Sequence, residues 1–219
     1  KDTSIDDVSG FDAENFMRAL DNNIVRDHGG GRYHCKRPDA LDLGAEVKIF
    51  QTDRKPTQVD EKTIKPRLLS LSIEELITVG AIARLALDFG WSEKSLCMEI
   101  REKWPGRGTT YPFDFAVFDE GSSGTMYVAG EVKSKENLLD ALVEDLIDFG
   151  EAGLTNDSGL TAGKRASYRK WEALQRRRSP FFWAVGPNDY SHLYSVKYGA
   201  DSTAIFMKVH IDDLIAPKE

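Results

Sequence analysis

Long apolar runs are absent from this sequence. The longest uninterrupted one is Phe181-Phe182-Trp183-Ala184-Val185, far short of the roughly 18 residues a membrane-crossing helix needs, so no membrane partner is expected. Cysteine is scarce: Cys35 and Cys97 are the only two. That excludes a disulfide scaffold and a four-cysteine zinc site, and it points to a reducing, cytoplasmic setting. An excess of positive charge is missing as well. Acids outnumber bases 36 to 29, for a net charge of −7, whereas a protein that simply coats nucleic acid is usually basic throughout. The balance still leaves room for an enzyme with a local basic track beside an acidic, metal-binding centre. Internal repeats, low-complexity segments, a signal peptide and an ATP-binding motor motif are also lacking. The chain begins at Lys1 rather than Met, as a trimmed chain or a part of a longer one would. What is there is 219 residues, 41% apolar and 30% charged, enough for a sizeable core in one large domain or one domain plus a subdomain.

The chain divides into regions of different character. Residues 1–66 read as an N-terminal extension or subdomain, with a short helix capped by Asp12 (Phe16, Met17, Leu20 and Ile24 on one face), a glycine-rich loop at Asp27–Arg32, a strand over Ala45–Phe50 and a polar linker beyond. Ser72-Ile73-Glu74-Glu75 is a capping box. The helix it opens is apolar on most sides, so it belongs to the core, and Gly90 stops it. Ser92 starts a segment in which Cys97, Ile100 and Trp104 have helical spacing, although Leu96, Met98 and Ile100 also alternate as in a strand. Residues 109–135 read as a β-hairpin about Gly121–Gly124. A helix with Leu138, Leu139, Leu142, Val143, Leu146 and Ile147 on its apolar face follows. Then come a glycine-rich loop, a basic helix from Lys164 to Arg178, and strands at Phe181–Val185, Leu193–Val196 and Ala204–His210.

The chemistry concentrates in the hairpin. Side chains alternate along a strand, so Glu131 and Lys133 share a face while Val132 points into the core. Asp114, in Tyr111-Pro112-Phe113-Asp114, lies on the neighbouring strand and can stand beside Glu131. Two carboxylates side by side repel, so one holds a proton unless a cation joins them. A hard divalent ion, Mg²⁺ or Mn²⁺, suits such oxygen ligands. It would activate a water and neutralise a phosphoryl group, with Lys133 orienting the water or stabilising the transition state. Gly130 leaves space for a backbone to approach. The bland alternative is an ordinary surface ion-pair cluster.

An Asp on one strand, Glu-x-Lys on the next, and a helix on either side resemble the PD-(D/E)xK nuclease superfamily over residues 72–197. The run Phe89-Gly90-Trp91, Glu99, Asp114 and Glu131-Val132-Lys133 is similar to the nuclease domain of type I restriction motor subunits. The resemblance implies a restriction-endonuclease-like α/β core over residues 67–219, a central mixed β-sheet flanked by helices. It implies that Asp114, Glu131 and the Val132 carbonyl hold Mg²⁺ or Mn²⁺, with Asp114, Glu131 and Lys133 catalytic. The family often has Pro directly before Asp; here Phe113 intervenes. A further carboxylate often comes from the preceding helix in this family, and of Glu75, Glu99 and Glu102 the preferred residue is Glu99, since Glu75 is already the capping partner of Ser72. Helices after the hairpin supply Gln or Lys to related sites, which draws attention to Gln175. A second literal match, Pro38-Asp39 with Glu46-Val47-Lys48, is disfavoured because so few residues separate its parts and no helix follows.

The basic helix carries Lys164, Arg165, Arg169, Lys170, Arg176, Arg177 and Arg178 against one acid, Glu172. Such a track would contact phosphates and give affinity without sequence reading; the alternative is a solvated face docked by Trp171 and Leu174. Gly159–Arg165 resembles a phosphate-binding loop but lacks Ser or Thr after its Lys. His28, His34 and Cys35 lack a fourth zinc ligand. Glu136, Asp140, Glu144 and Asp148 form a stripe of the kind usually left in solvent, and His192 and His210 have no evident nucleophile partner. The expectation is a metal-dependent nuclease, with DNA as the expected substrate and RNA as the alternative, in restriction, phage defence or repair, alone, as a homo-oligomer or in a larger complex. Its rival is an inactive nuclease-fold domain that binds nucleic acid or another protein.

Overall fold

The computed structural model describes residues 8–27, 32–35, 68–70, 72–92, 95–98, 102–104, 108–110, 112–118 and 125–217. The first helix, α1 (Gly10–Asp21), is capped by Ser9, whose hydroxyl accepts from the Asp12 amide. The expected cap, Asp12, lies instead inside the first turn. Its carboxylate accepts from the Ser9 hydroxyl and, across the fold, from the Asn188 amide at 2.9 Å. Phe16 and Ala19 are buried, whereas Met17 faces solvent. Strands β1 (Val25–Asp27), β2 (Arg32–Cys35) and β3 (Leu68–Ser70) form a small antiparallel sheet.

Helix α2 (Ile73–Leu87) has the capping box its sequence announces, with Ser72 and Glu75 bonding reciprocally. Its residues from Leu76 to Ala83 are all buried, as a helix apolar on most sides must be. Gly90 follows with φ +74, a conformation that favours glycine.

The described residues that follow Ser92, as far as Trp104, are not helical, and Ile100 lies outside them. They hold β4 (Leu96–Met98) and β5 (Glu102–Trp104), the latter paired with β6 (Gly108–Thr110). The helical spacing of Cys97 and Trp104 misleads because Leu96, Cys97 and Met98 are all buried. Consecutive residues enclosed on both sides suit a strand sandwiched between helical layers.

The hairpin strands are β7 (Phe115–Phe118) and β8 (Met126–Val132), followed by α3 (Glu136–Glu151), α4 (Ala162–Arg177), β9 (Phe181–Val185), β10 (Ser191–Tyr198), β11 (Ala204–Val209) and a short 3-10 turn, Ile211–Leu214. The central sheet has six strands in the order β11-β10-β9-β8-β7-β4. All neighbours are antiparallel except β8 and β9, which α3 and α4 join as a parallel crossover. This is an α/β architecture with a mixed sheet covered on both faces. Helices α1 and α2 bury Leu76, Val79, Ile82 and Leu85 against Phe115, Val128, Val132 and Trp183 on one face. On the other, α3 and α4 bury Leu139, Leu146, Trp171 and Leu174 against Ala116, Ala129, Phe182 and Tyr194. Residues 10–25 of the N-terminal extension share the first of these cores through Phe16, Ala19, Ile24 and Val25. Leu138, expected on the apolar face of α3, is exposed.

Gly130 is needed for a reason internal to the sheet. A Cβ there would lie 2.1 Å from the Phe115 ring. Phe115 and Trp183 pair with Gly130 from the strands on either side, and their rings meet edge to face at 5.5 Å. The space expected to admit a passing backbone is filled by the Phe115 side chain.

Candidate active site

The site forms where the β7–β8 ladder runs out. Phe115 pairs with Gly130, and one step further the Asp114 amide donates to the Gly130 carbonyl at 3.0 Å. The strands then part, and the Asp114 side chain takes over: its Oδ2 accepts from the Val132 amide at 2.7 Å. Phe113, the residue that interrupts the expected Pro-Asp pair, is 1% exposed among the α3–α4 core residues. It anchors the approach to Asp114.

Glu131 and Lys133 share a face as the alternation requires, and Val132 between them is fully buried. The Glu131 side chain is only 1% exposed, so a solvent-screened surface cluster is not what forms here. Both of its oxygens are engaged. Oε1 accepts from the Lys133 ammonium, and Oε2 accepts from Lys170 Nζ at 2.7 Å. Lys133 also donates to the Val132 carbonyl at 3.0 Å, and Lys170 to the Pro112 carbonyl at 2.9 Å. Breaking a buried ion pair by deleting one partner typically costs about 3–5 kcal/mol, because the other charge is left behind without a counter-charge.

The electrostatics are unbalanced at Asp114. Burial, followed by the charge of Glu131, pushes its carboxyl up to about 7, against the opposing pull of Lys170, the Val132 amide and Lys133. The Lys133 ammonium is moved the other way from what its enclosure favours. Burial alone would lower it, but attraction to Glu131, Asp114 and Glu74 raises it. It stays a cation at neutral pH.

Glu74 is a carboxylate that sequence reasoning does not single out. It lies in the first turn of α2, beside the capping residue Glu75, and its Oε1 accepts from the Ser134 amide at 3.0 Å and from the Ser134 hydroxyl at 3.2 Å. It therefore ties the start of α2 to the residue after Lys133. The signal for it is a second acid in Ser72-Ile73-Glu74-Glu75, where one suffices for the capping box. Glu99 lies outside the described residues, as does the Glu102 side chain. The Asp39–Lys48 match and the strand at Ala45–Phe50 are outside them too, together with His28 and the side chains of His34 and Cys35.

Lys170 departs from its expected role. Sequence groups it with the residues of α4 expected to contact phosphates, yet it turns inward to Glu131 and the Pro112 carbonyl. The rest of the helix divides. Arg165, Arg169 and Arg176 follow one another at helical spacings of four and seven and are exposed, so they form one stripe. Lys164 stands off that stripe and pairs with Asp145 of α3 at 3.3 Å. Gln175, expected near the site, donates to the Ser202 carbonyl at 3.1 Å instead. Arg177 lies two turns beyond Lys170, and Arg178 ends the helix in a left-handed conformation with its guanidinium over Tyr198.

His192 and Asp140 do have partners. Asp140 accepts from the Tyr190 hydroxyl at 2.8 Å and lies 3.2 Å from His192 Nε2, while Lys208 Nζ stands 3.0 Å from His192 Nδ1. The acidic stripe of α3 is thus partly engaged, at Asp140, by Tyr190 and by His192 of β10.

The donor set suits a hard divalent cation. Asp114, Glu131 and the Val132 carbonyl present oxygen only, and the ammonium groups of Lys133 and Lys170 already stand against Glu131, where a cation would bind. Among the described residues no cluster of three or more His, Cys, Asp or Glu side chains has metal-holding geometry; one or two carboxylates are what Mg²⁺ commonly uses, with waters completing its shell. Comparisons of the chain with protein-family models, with curated proteins and with solved structures returned no match.

Proposed function

We propose that this chain is a divalent-metal-dependent nuclease that hydrolyses phosphodiester bonds, in DNA first of all. The observation that carries the reading is the convergence of half-buried Asp114 and buried Glu131 beside Lys133 at the end of a strand pair. The surrounding order α2, β4, β7, β8, α3, α4, β9, with β9 parallel to β8, is similar to that of the PD-(D/E)xK core and supports the finer assignment of the fold. Asp114, Glu131 and the Val132 carbonyl would hold the ion. When bound, Mg²⁺ or Mn²⁺ supplies Lewis acidity and lowers the pKa of water.

The protein's own residues do the rest. Lys133 is charged at neutral pH, so it acts as an electrostatic donor toward a phosphate oxygen and not as a proton acceptor. Glu74 holds the Ser134 end of the β8–α3 connection and with it the direction of the Lys133 backbone. Arg165, Arg169 and Arg176 contact strand phosphates beyond the cleaved one.

The test is incubation with plasmid, linear duplex, single-stranded DNA and RNA in Mg²⁺, Mn²⁺ or EDTA, alongside a Lys133→Ala protein checked for folding. The expected result is metal-dependent cleavage that falls at least about a hundredfold in the variant, the scale of a lost transition-state charge donor. Undiminished cleavage by Lys133→Ala, or cleavage in EDTA, contradicts the proposal.

One observation favours a second reading. Both Glu131 oxygens are matched by lysines, as they would be in a nuclease-fold domain that binds nucleic acid or another protein without cutting. That reading predicts salt-dependent DNA binding or partner binding, with no binding of Mn²⁺. Either form is compatible with a homo-oligomer or a larger complex. No helix among the described residues is long and apolar enough to cross a membrane.

A further inference from the structure

Lys170 reaches the site from a different layer of the fold. It lies on α4, not on the strands that carry Asp114, Glu131 and Lys133. Its side chain is 15% exposed, and its amine stands 2.7 Å from Glu131 Oε2 and 2.9 Å from the Pro112 carbonyl. Trp171, the next residue, is fully buried and donates its Nε1–H to the Leu154 carbonyl at 2.9 Å, which sets the rotation of α4 and turns Lys170 toward the site. The ammonium bridges the two segments that bring the acids together: Pro112 leads into Asp114, and Glu131 is its neighbour.

A buried Glu131 beside Asp114 needs positive charge close by to stay ionised. Lys133 supplies one charge. Lys170 supplies the second, through an oxygen that a divalent ion would itself need.

We propose that Lys170 is a built-in substitute cation, a positioning residue that holds the Asp114–Glu131 pair together in the metal-free protein and yields Glu131 Oε2 when a divalent ion binds. The inference rests on the metal-binding reading above. Its consequence runs against intuition. Removing a lysine from the site weakens the metal-free fold yet tightens metal binding, because the ion then enters without displacing or facing an ammonium a few ångströms away. Lys133 differs in this respect: it comes from the same strand as Glu131, and its bonds run to Glu131 and the Val132 carbonyl, not to the Pro112 segment.

The test compares the full chain with Lys170→Met, Lys170→Gln and Lys170→Arg. Mn²⁺ affinity is measured by calorimetry, and thermal unfolding is followed with Mn²⁺ and with EDTA. Gln keeps hydrogen-bonding capacity toward Glu131 and so guards against a Met variant that fails to fold. The neutral variants should unfold at lower temperature in EDTA, bind Mn²⁺ about tenfold more tightly or better, as removal of a like charge at contact range implies, and gain more from Mn²⁺ in thermal stability than the unaltered protein does. The Arg variant should stay within about threefold of the unaltered affinity, its charge being kept. If the unaltered protein binds Mn²⁺ and the neutral variants bind it equally or less tightly, the substitute-cation role is overturned while the metal reading stands. If no form binds Mn²⁺, both fall.

Discussion

Asp114 is the residue on which protonation, stability and the proposed metal binding meet. Its carboxyl titrates near 7 in the folded protein against an ordinary value of 3.8. Because the folded value is the higher one, the native state holds more protons than the unfolded chain between about pH 4 and 7. Stability contributed by this group is therefore fully present at the acid end and is lost as pH rises through 7. In EDTA, urea denaturation at pH 5 and pH 8 should show the unaltered protein losing a few kcal/mol more than Asp114→Asn between the two, since one extra bound proton is worth about 1.4 kcal/mol for each pH step crossed. Equal pH dependence of the two proteins would mean that Asp114 is ionised throughout. Asp114→Asn should also abolish Mn²⁺ binding. The placement of Asp114 beside Glu131 is legible from strand alternation alone. The inward turn of Lys170 is not, since a helical pattern rich in bases does not say which of them faces the sheet. Glu74 is hidden by its neighbour: Glu75 explains the capping box, and the second acid acquires a role only once Ser134 arrives from sixty residues away.

Two elements carry the geometry, the β7–β8 pair and α4. Gly130→Ala places a methyl group against the Phe115 ring between two packed strands, and it should destabilise the protein by about 1–3 kcal/mol in denaturant unfolding. Trp171→Ala should cost about 3–5 kcal/mol and release Lys170 from its aim. On the outer side of α4, replacing Arg165, Arg169 and Arg176 together with Ala should weaken duplex binding and reduce the slope of log affinity against log salt by about 3, near one for each phosphate contact. Lys164→Ala, whose partner is Asp145, should change that slope far less. Fluorescence anisotropy across a salt series measures both; equal effects from the triple and the single variant would deny the stripe its role. These elements are readable in advance to different degrees. The capping box of α2 and the hairpin alternation specify their structure locally. The segment at Leu96–Trp104 does not, because three short apolar positions satisfy either period and only pairing with β7 decides between them.

At the scale of the whole molecule, the net charge of −7 and the proposed nucleic-acid substrate are reconciled by segregation. Acids gather on α3 and in the buried pair, while the exposed Arg165, Arg169 and Arg176 keep to one stripe of α4. At the β8 end, where the ladder opens, α4 reaches Glu131 through Lys170 and the start of α2 reaches Ser134 through Glu74. Without an ion, the two acid-bearing segments are bridged by Lys170, which bonds both Glu131 and the Pro112 carbonyl. The most direct measurement is an anomalous-scattering map from crystals grown with Mn²⁺. The account predicts a peak bonded to Asp114 and Glu131 at roughly 2 Å, close to the distance of Mg²⁺–oxygen bonds, with Lys170 withdrawn from Glu131. A map with no peak there, and with both lysines still paired to Glu131 at saturating Mn²⁺, would contradict it.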